Sequence, residues 1–361
     1  MANLGVDFAG LKLKNPVLPA AGPPVKDATA ILAAARGGAG GIVTKTISVV
    51  AADVPKPNMA EIRGGFLNTE LWSELPPEQW LETEYALARQ SGLTTIVSLG
   101  YRPEEIRELA RKVRPFADAL ELSTHYVGTD LSPIVKALKA AKDEVDVPVF
   151  MKLSPHVPDI KMVARALEDA GADGLVLINS FGPVMGINIE TGLPLMGSKE
   201  GYGWLSGTAI KPLTLRFVYD AASVVKIPIF AVGGISTGRD AIEMIMAGAA
   251  AVQVCTAAIL NGPTIYGKIA REMDDWLDAH GYESLQEIRG LAHRRAAQRS
   301  FRTHVVAPTI YEEKCTACGL CRVCPYGAIT VEKVVAINLD LCAGCGLCVS
   351  RCRFGALELK V

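Results

Sequence analysis

Eight short, nearly continuous apolar runs punctuate the first 280 residues, and each is followed by a longer run whose apolar positions recur at helical spacing. The apolar runs cover 16–22, 40–48, 94–100, 119–125, 148–154, 174–180, 228–234 and 250–257. Helical patterns follow at about 26–37, 77–91, 103–114, 130–143, 158–171, 208–225, 238–248 and 262–280. Strands that are apolar on both faces belong in a parallel sheet covered on both sides. Eight strand–helix repeats predict a (β/α)8 TIM barrel, a fold that takes roughly 250 residues. A doubly wound open sheet is the competing architecture. The segment 283–300 predicts one further helix, and 304–310, with Pro308, a linker. The chain is thus expected to divide into a barrel, 1–305, and a small α+β domain, 306–361.

The cysteines give that small domain its chemistry. Of the nine in the chain, all but Cys255 fall in two runs. The first is Cys315-x2-Cys318-x2-Cys321-x2-Cys324-Pro325, and the second is Cys342-x2-Cys345-x2-Cys348-x3-Cys352. Each resembles the cluster-binding run of bacterial two-cluster ferredoxins, in which the fourth thiolate ligates the cluster of the other run. That rule gives one [4Fe–4S] cluster to Cys315, Cys318, Cys321 and Cys352, and the other to Cys342, Cys345, Cys348 and Cys324. The runs also form an internal repeat, residues 324–331 reading against 352–359. Two departures stand out: the third gap of the first run is one residue short, and Arg353 stands where proline is usual. The short gap makes Cys324 the ligand whose loop must bend most. Zinc is the rival metal for thiolate quartets. Disulfides fit less well, because the rest of the chain holds one cysteine.

A net charge of −1 argues against a protein that lives on nucleic acid or on an anionic membrane. No apolar run approaches the roughly 18 residues of a spanning helix, so a soluble cytoplasmic protein is expected. One basic cluster, Arg289, Arg294, Arg295, Arg299 and Arg302, precedes the cysteine tail. It reads either as a solvated helix face or as a docking surface for a redox partner.

Function in such barrels sits at the C-terminal ends of the strands. Those ends carry Ala20-Ala21-Gly22, Lys45, His125-Tyr126, Lys152, Asn179-Ser180, Gly233-Gly234 and Cys255-Thr256. Two lysines closing apolar strands ask for an anion or a polar ligand at the mouth. Gly233-Gly234 lets a ligand approach the backbone closely, and barrels often bind phosphate after strands seven and eight. The Gly201-x-Gly203 pair is not a nicotinamide fingerprint, since it lies in a long loop without the strand and helix that fingerprint requires. His125 and Tyr126 are the candidate proton-transfer groups, histidine because it exchanges protons near neutral pH and tyrosine as an acid.

Asn15-Pro-Val, Thr44-Lys-Thr-Ile, Gly65-Phe-Leu-Asn68-Thr-Glu, Met151-Lys152-Leu-Ser-Pro, Leu205-Ser-Gly-Thr-Ala-Ile-Lys-Pro, Ala231-Val-Gly-Gly-Ile and Val252-Gln-Val resemble the dihydroorotate dehydrogenase family. The tail is similar to the C-terminal part of dihydropyrimidine dehydrogenases. The resemblance covers essentially the whole chain and implies FMN over the barrel mouth. It implies a phosphate at Gly207, Gly233, Gly234, Cys255 and Thr256, flavin contacts from Ala20, Ala21, Gly22, Lys45 and Thr46, and Lys152 near the flavin's pyrimidine edge. Lys45 would also lie near the substrate, and Asn68, Asn179 and Ser180 would contact it. Relatives end strand four with a motif like Asn-x-Ser-Cys-Pro, whose cysteine is the acid or base. Here the stretch is Glu121-Leu-Ser-Thr-His-Tyr-Val-Gly128, with Ser123 for the asparagine and Tyr126, or His125 after a one-residue slip, for the cysteine.

The expected protein is an FMN and iron–sulfur oxidoreductase that interconverts C–C and C=C bonds beside a carbonyl in a cyclic substrate. Its clusters relay electrons to or from an external flavoprotein subunit or ferredoxin, in a homo- or hetero-oligomer suited to anaerobic cytoplasm. The alternatives are a dihydropyrimidine dehydrogenase-type subunit acting on uracil or thymine, a noncatalytic electron-relay subunit, and an RNA-modifying flavin barrel.

Overall fold

The computed structural model describes the chain apart from residues 1, 125–127, 158, 302 and 361. It divides into two compact units, Met1–Arg294 and Arg295–Val361. In the first, the eight expected strands form one parallel sheet: β1 Val17–Pro19, β2 Ile42–Val43, β3 Thr95–Leu99, β4 Ala119–Ser123, β5 Val149–Leu153, β6 Gly174–Leu177, β7 Ile229–Val232 and β8 Ala251–Val254. Neighbours in the sheet are neighbours in sequence from β2 to β8, and β8 pairs with β1. The ring closes where the Gly40 N–H donates to the Val17 carbonyl at 2.8 Å and the Lys14 N–H to the Gly40 carbonyl at 3.0 Å. Only glycine fits at that seam, because a Cβ on Gly40 would sit 1.9 Å from the Asn15 carbonyl oxygen.

Every residue of the eight strands is buried, as strands between a packed interior and a helical coat must be. Phe150 on β5 and Phe230 on β7 meet edge to face at 5.2 Å although β6 lies between them, so both rings point into the barrel. Gly174 on β6 leaves them room, since a Cβ there would lie 2.6 Å from the Phe150 ring. An N-terminal hairpin, Val6–Phe8 with Leu11–Leu13, adds Phe8 against Phe230 at 5.0 Å. Helices follow the strands at Ala28–Arg36, 77–91, Pro103–Val113, Ser132–Lys142, Ile160–Asp169, Lys211–Ala222, Gly238–Met246 and Ile265–Ala279.

Three features depart from the expected pattern. The long connections after β2 and β6 are not structureless: they hold Met59–Ile62, Gly65–Asn68, Phe181–Val184 and Gly203–Ser206, which pair into an antiparallel four-stranded sheet. Gly203 therefore opens a strand. The single helix expected over 283–300 is two, Leu285–Ile288 and Leu291–Ala296, parted at Gly290 with φ 69°. The Arg294 guanidinium clamps that break by donating to the Glu287 and Arg289 carbonyls, both at 2.7 Å. Arg289 is half-buried against the Gly248 carbonyl, burial lowering its pKa, so part of the basic cluster serves this corner. Finally, the expected linker ends in a strand, Thr309–Ile310, that pairs with Leu357–Glu358.

The second unit is built of that pair, the hairpin Ile329–Val331 with Val335–Ile337, and two short helical turns that follow the repeat. The turn of the second run, Leu347–Arg351, is α-helical, whereas that of the first, Leu320–Val323, is a 3₁₀ turn. The missing residue in the first run explains the difference, because a 3₁₀ turn closes with three residues where an α turn needs nearly four.

Candidate functional site

A cavity of about 350 Å³ opens at the C-terminal ends of the barrel strands, with the antiparallel sheet forming one wall. Into it the structure brings Ala20, Ala21 and Gly22 after β1, Lys45 and Thr46 after β2, Lys152 from β5 and Asn179 and Ser180 after β6. Gly233 and Gly234 after β7, Cys255 and Thr256 after β8, Asn68 from the antiparallel sheet and Gly207 just after its strand Gly203–Ser206 complete the set. Every rim residue expected to meet the cofactor or substrate thus lines one cavity. His125 and Tyr126 lie outside the described residues. Ser123, at the end of β4, lines the cavity, and the next helix begins at Ser132, so the connection after this strand is short.

Both lysines are paired with carboxylates. Lys45 Nζ lies 2.8 Å from Glu70 Oε2, while Glu70 Oε1 accepts from Asn58 Nδ2 at 2.6 Å. The Glu70 N–H donates to Asn68 Oδ1 at 3.2 Å, and Asn68 Nδ2 donates to the Trp204 carbonyl at 3.1 Å. These bonds hold Asn68 and Glu70 at the mouth. Deeper, Lys152 Nζ lies 3.2 Å from Oε1 of the fully buried Glu121. Glu121 Oε2 accepts from Gln253 Nε2 at 2.7 Å. Strand β8 stands opposite β4 in the ring, so this bond crosses the barrel interior. The other amide atom, Gln253 Oε1, is buried and has no partner among the described residues.

The far end of the cavity is made of backbone. Gly233 (φ 127°) and Gly234 (φ 78°) adopt conformations that side chains disfavour, and a Cβ on Gly233 would come within 2.5 Å of Thr214 Oγ1. Beside them the hydroxyls of Ser206 and Thr256 are 2.9 Å apart. Bare glycine backbone with a hydroxyl beside it suits a phosphate. The short helix after β8, Thr256–Asn261, adds less than a full-length helix dipole would. Burial pushes the Cys255 thiol up to about 11, outweighing the pull of Lys152 and Lys45, so it is a neutral wall group at physiological pH. Cavity size, lysine charge, glycine cradle and the orphan amide oxygen together fit an FMN.

In the second unit the eight cysteines sort into two quartets. Cys315, Cys318, Cys321 and Cys352 line one cavity, and Cys324, Cys342, Cys345 and Cys348 line another. Each quartet therefore takes its fourth thiol from the other run, and the 3₁₀ turn still delivers Cys324 to the cavity of the second run. Burial raises the Cys321 and Cys348 thiols. Burial also raises Cys352, but backbone N–H groups of residues 354–357 outweigh it and lower the thiol, the Ala356 N–H lying 3.2 Å from its sulfur. Four thiols around one cavity, with N–H groups aimed at sulfur, fit a [4Fe–4S] cluster.

Among the cavity groups that the sequence did not single out are Glu70, Glu121's partner Gln253, and Tyr101, whose phenol burial keeps protonated. Glu70 and Gln253 sit inside the quoted motifs Asn68-Thr-Glu and Val252-Gln-Val, and that was their only signal.

Residues 3–277 match the family model for dihydroorotate dehydrogenase, and residues 335–358 match that of a 4Fe-4S binding domain. The chain is similar to the catalytic subunit of dihydroorotate dehydrogenase B (NAD(+)) of Methanothermobacter thermautotrophicus, with 37% identity over 301 residues, 80% of this chain and 98% of the relative. The corresponding subunit of Methanosarcina mazei is 38% identical over 299 residues, 79% of this chain and 94% of the relative. That of Pyrococcus abyssi is 36% identical over 301 residues, with 80% and 99% covered. Among the described residues no helix is long and apolar enough to cross a membrane. The chain belongs to the dihydroorotate dehydrogenase family, as a flavoprotein oxidoreductase acting on CH–CH groups that carries an iron–sulfur-binding tail.

Proposed function

We propose that this enzyme interconverts C–C and C=C bonds beside a carbonyl in a cyclic substrate, and that two [4Fe–4S] clusters connect it to an external electron partner. The observation that carries the reading is the gathering of the rim residues on one cavity, with Lys152 and the orphan Gln253 oxygen at its floor. Bound FMN supplies hydride exchange with the substrate carbon and one-electron exchange with the clusters. Lys152 lines the cavity and would supply an ammonium to a bound flavin, stabilising the negative charge of its reduced form. Asn68 and Asn179 orient the ring, with Ser180 beside them, and Lys45 is held over the mouth by Glu70. Gly207, Gly233, Gly234, Cys255 and Thr256 hold the phosphate. His125 or Tyr126 moves the proton at the neighbouring carbon. A flavoprotein subunit or a ferredoxin is the electron partner, in anaerobic cytoplasm.

The substrate is neither dihydroorotate nor dihydrouracil in this reading. The stretch after β4 has no cysteine, Ser123 replaces an amide, and the following helix starts at Ser132. A site built to hydrogen-bond one ring loses selectivity by factors up to about 10⁴ when its polar partners change. The test is anaerobic reoxidation of the reduced enzyme by a panel of orotate, uracil, thymine and bulkier cyclic enones, in wild type, His125→Asn and Tyr126→Phe. A bulkier enone is expected to turn over fastest, with one of the two variants at least about 100-fold slower. Rapid turnover of orotate or uracil removes the substrate claim. Full activity of both variants removes the proton-transfer assignment, and no turnover of any cyclic carbonyl leaves an electron-relay subunit.

A further inference from the structure

We propose that Gln253 accepts a hydrogen bond from a ring N–H of the bound flavin, and that Glu121 is the positioning residue that turns its amide to do so. The proposal rests on the FMN reading above. In its ion pair with Lys152, Glu121 is a carboxylate and can only accept hydrogen bonds. The Gln253 amide must therefore face it with the NH₂ group, because the flipped amide would bring two oxygens to the 2.7 Å separation seen for this bond. Its oxygen is then left on the other side, inside the barrel, with no partner among the described residues. A buried acceptor in that state is costly, and the cost is relieved by a ligand that brings a donor.

The ligand's chemistry follows from the pair. Lys152 and Gln253 both line the cavity, one offering N–H and the other an oxygen. The complement is an imide-type edge, a carbonyl next to an N–H. A flavin's pyrimidine ring has such an edge, and so do cyclic ureides among substrates. Position favours the flavin. Lys152 and Gln253 reach the cavity from barrel strands, with the buried Glu121 bonded to both, whereas Asn68 comes from the antiparallel sheet that walls it. A ring lying on the floor meets the amide first.

The probe is FMN methylated at N3, which keeps the ring but lacks the N–H. The full-length protein, stripped of flavin, is titrated with FMN and with the methylated form. Wild type is expected to bind FMN about 10- to 100-fold more tightly, and Gln253→Met should bring the two affinities close to equality. Glu121→Gln should narrow the gap as well, because an amide partner no longer dictates which way Gln253 faces. Far-ultraviolet circular dichroism and thermal unfolding report whether each variant's barrel has folded, and the wild-type comparison stands even if one has not. Equal affinity in wild type overturns the proposal, and so does a gap that persists in Gln253→Met, which would mean that shape rejects the methyl group. An FMN affinity in Gln253→Met unchanged from wild type, with a raised substrate KM, would give the acceptor to the substrate, and would equally overturn it. Failure of the wild-type apoprotein to bind either flavin is a different result, and removes the FMN reading itself.

Discussion

Lys152→Ala is expected to strip most of the FMN from the protein and to destabilise the barrel by about 3–5 kcal/mol. The second effect arises because the lysine's partner, Glu121, is fully buried and would be left with no counter-ion. A buried ion pair adds little over an apolar pair, yet breaking it from one side is expensive. The two effects separate in the double variant Lys152→Ala, Glu121→Gln, which removes both charges. Thermal unfolding should recover most of its lost stability there, while flavin retention after gel filtration should remain poor. Wild-type flavin retention in the single variant would take Lys152 out of the site, and an unshifted melting temperature would contradict the buried pair.

Cys352→Ser should remove the cluster of the first run while sparing that of the second, although Cys352 belongs to the second run by sequence. The quartets predict this crossing: Cys352 shares its cavity with Cys315, Cys318 and Cys321. The iron content should fall by about four atoms. Cys348→Ser should have the complementary effect, disrupting the quartet that includes Cys324. Low-temperature electron paramagnetic resonance of the reduced variants distinguishes the two clusters. If Cys352→Ser and Cys348→Ser lose the same signal, each run ligates its own cluster and the crossed arrangement is wrong.

The barrel was legible because parallel strands are buried on both faces and show as unbroken apolar runs. Val149–Leu153 is an example, apolar but for the lysine near its mouth end. The antiparallel sheet was not legible for the opposite reason. Its strands are four residues long and mostly half-buried, and Gly65–Asn68 pairs with Gly203–Ser206 across more than a hundred intervening positions. No local period carries that pairing. The rim residues could be found because each stands at the end of a strand, where chemistry is expected. Glu121 lies two residues earlier, inside Ala-Leu-Glu-Leu-Ser, and a lone acid at an alternating position reads as a solvent-facing one. Only the closed ring makes that face the interior, and only there do Lys152 and Gln253, far away in sequence, meet it. The break at Gly290 was hidden by helix-favouring residues on both sides, although glycine with positive φ is a common way to end a helix.

Flavin and metal content of one anaerobically purified sample tests the central claim most directly. The account predicts one FMN and about eight iron atoms per chain, with as much acid-labile sulfide as iron. Zinc in place of iron, about four iron atoms in a fully reconstituted sample, or a chain that takes up no FMN would contradict it.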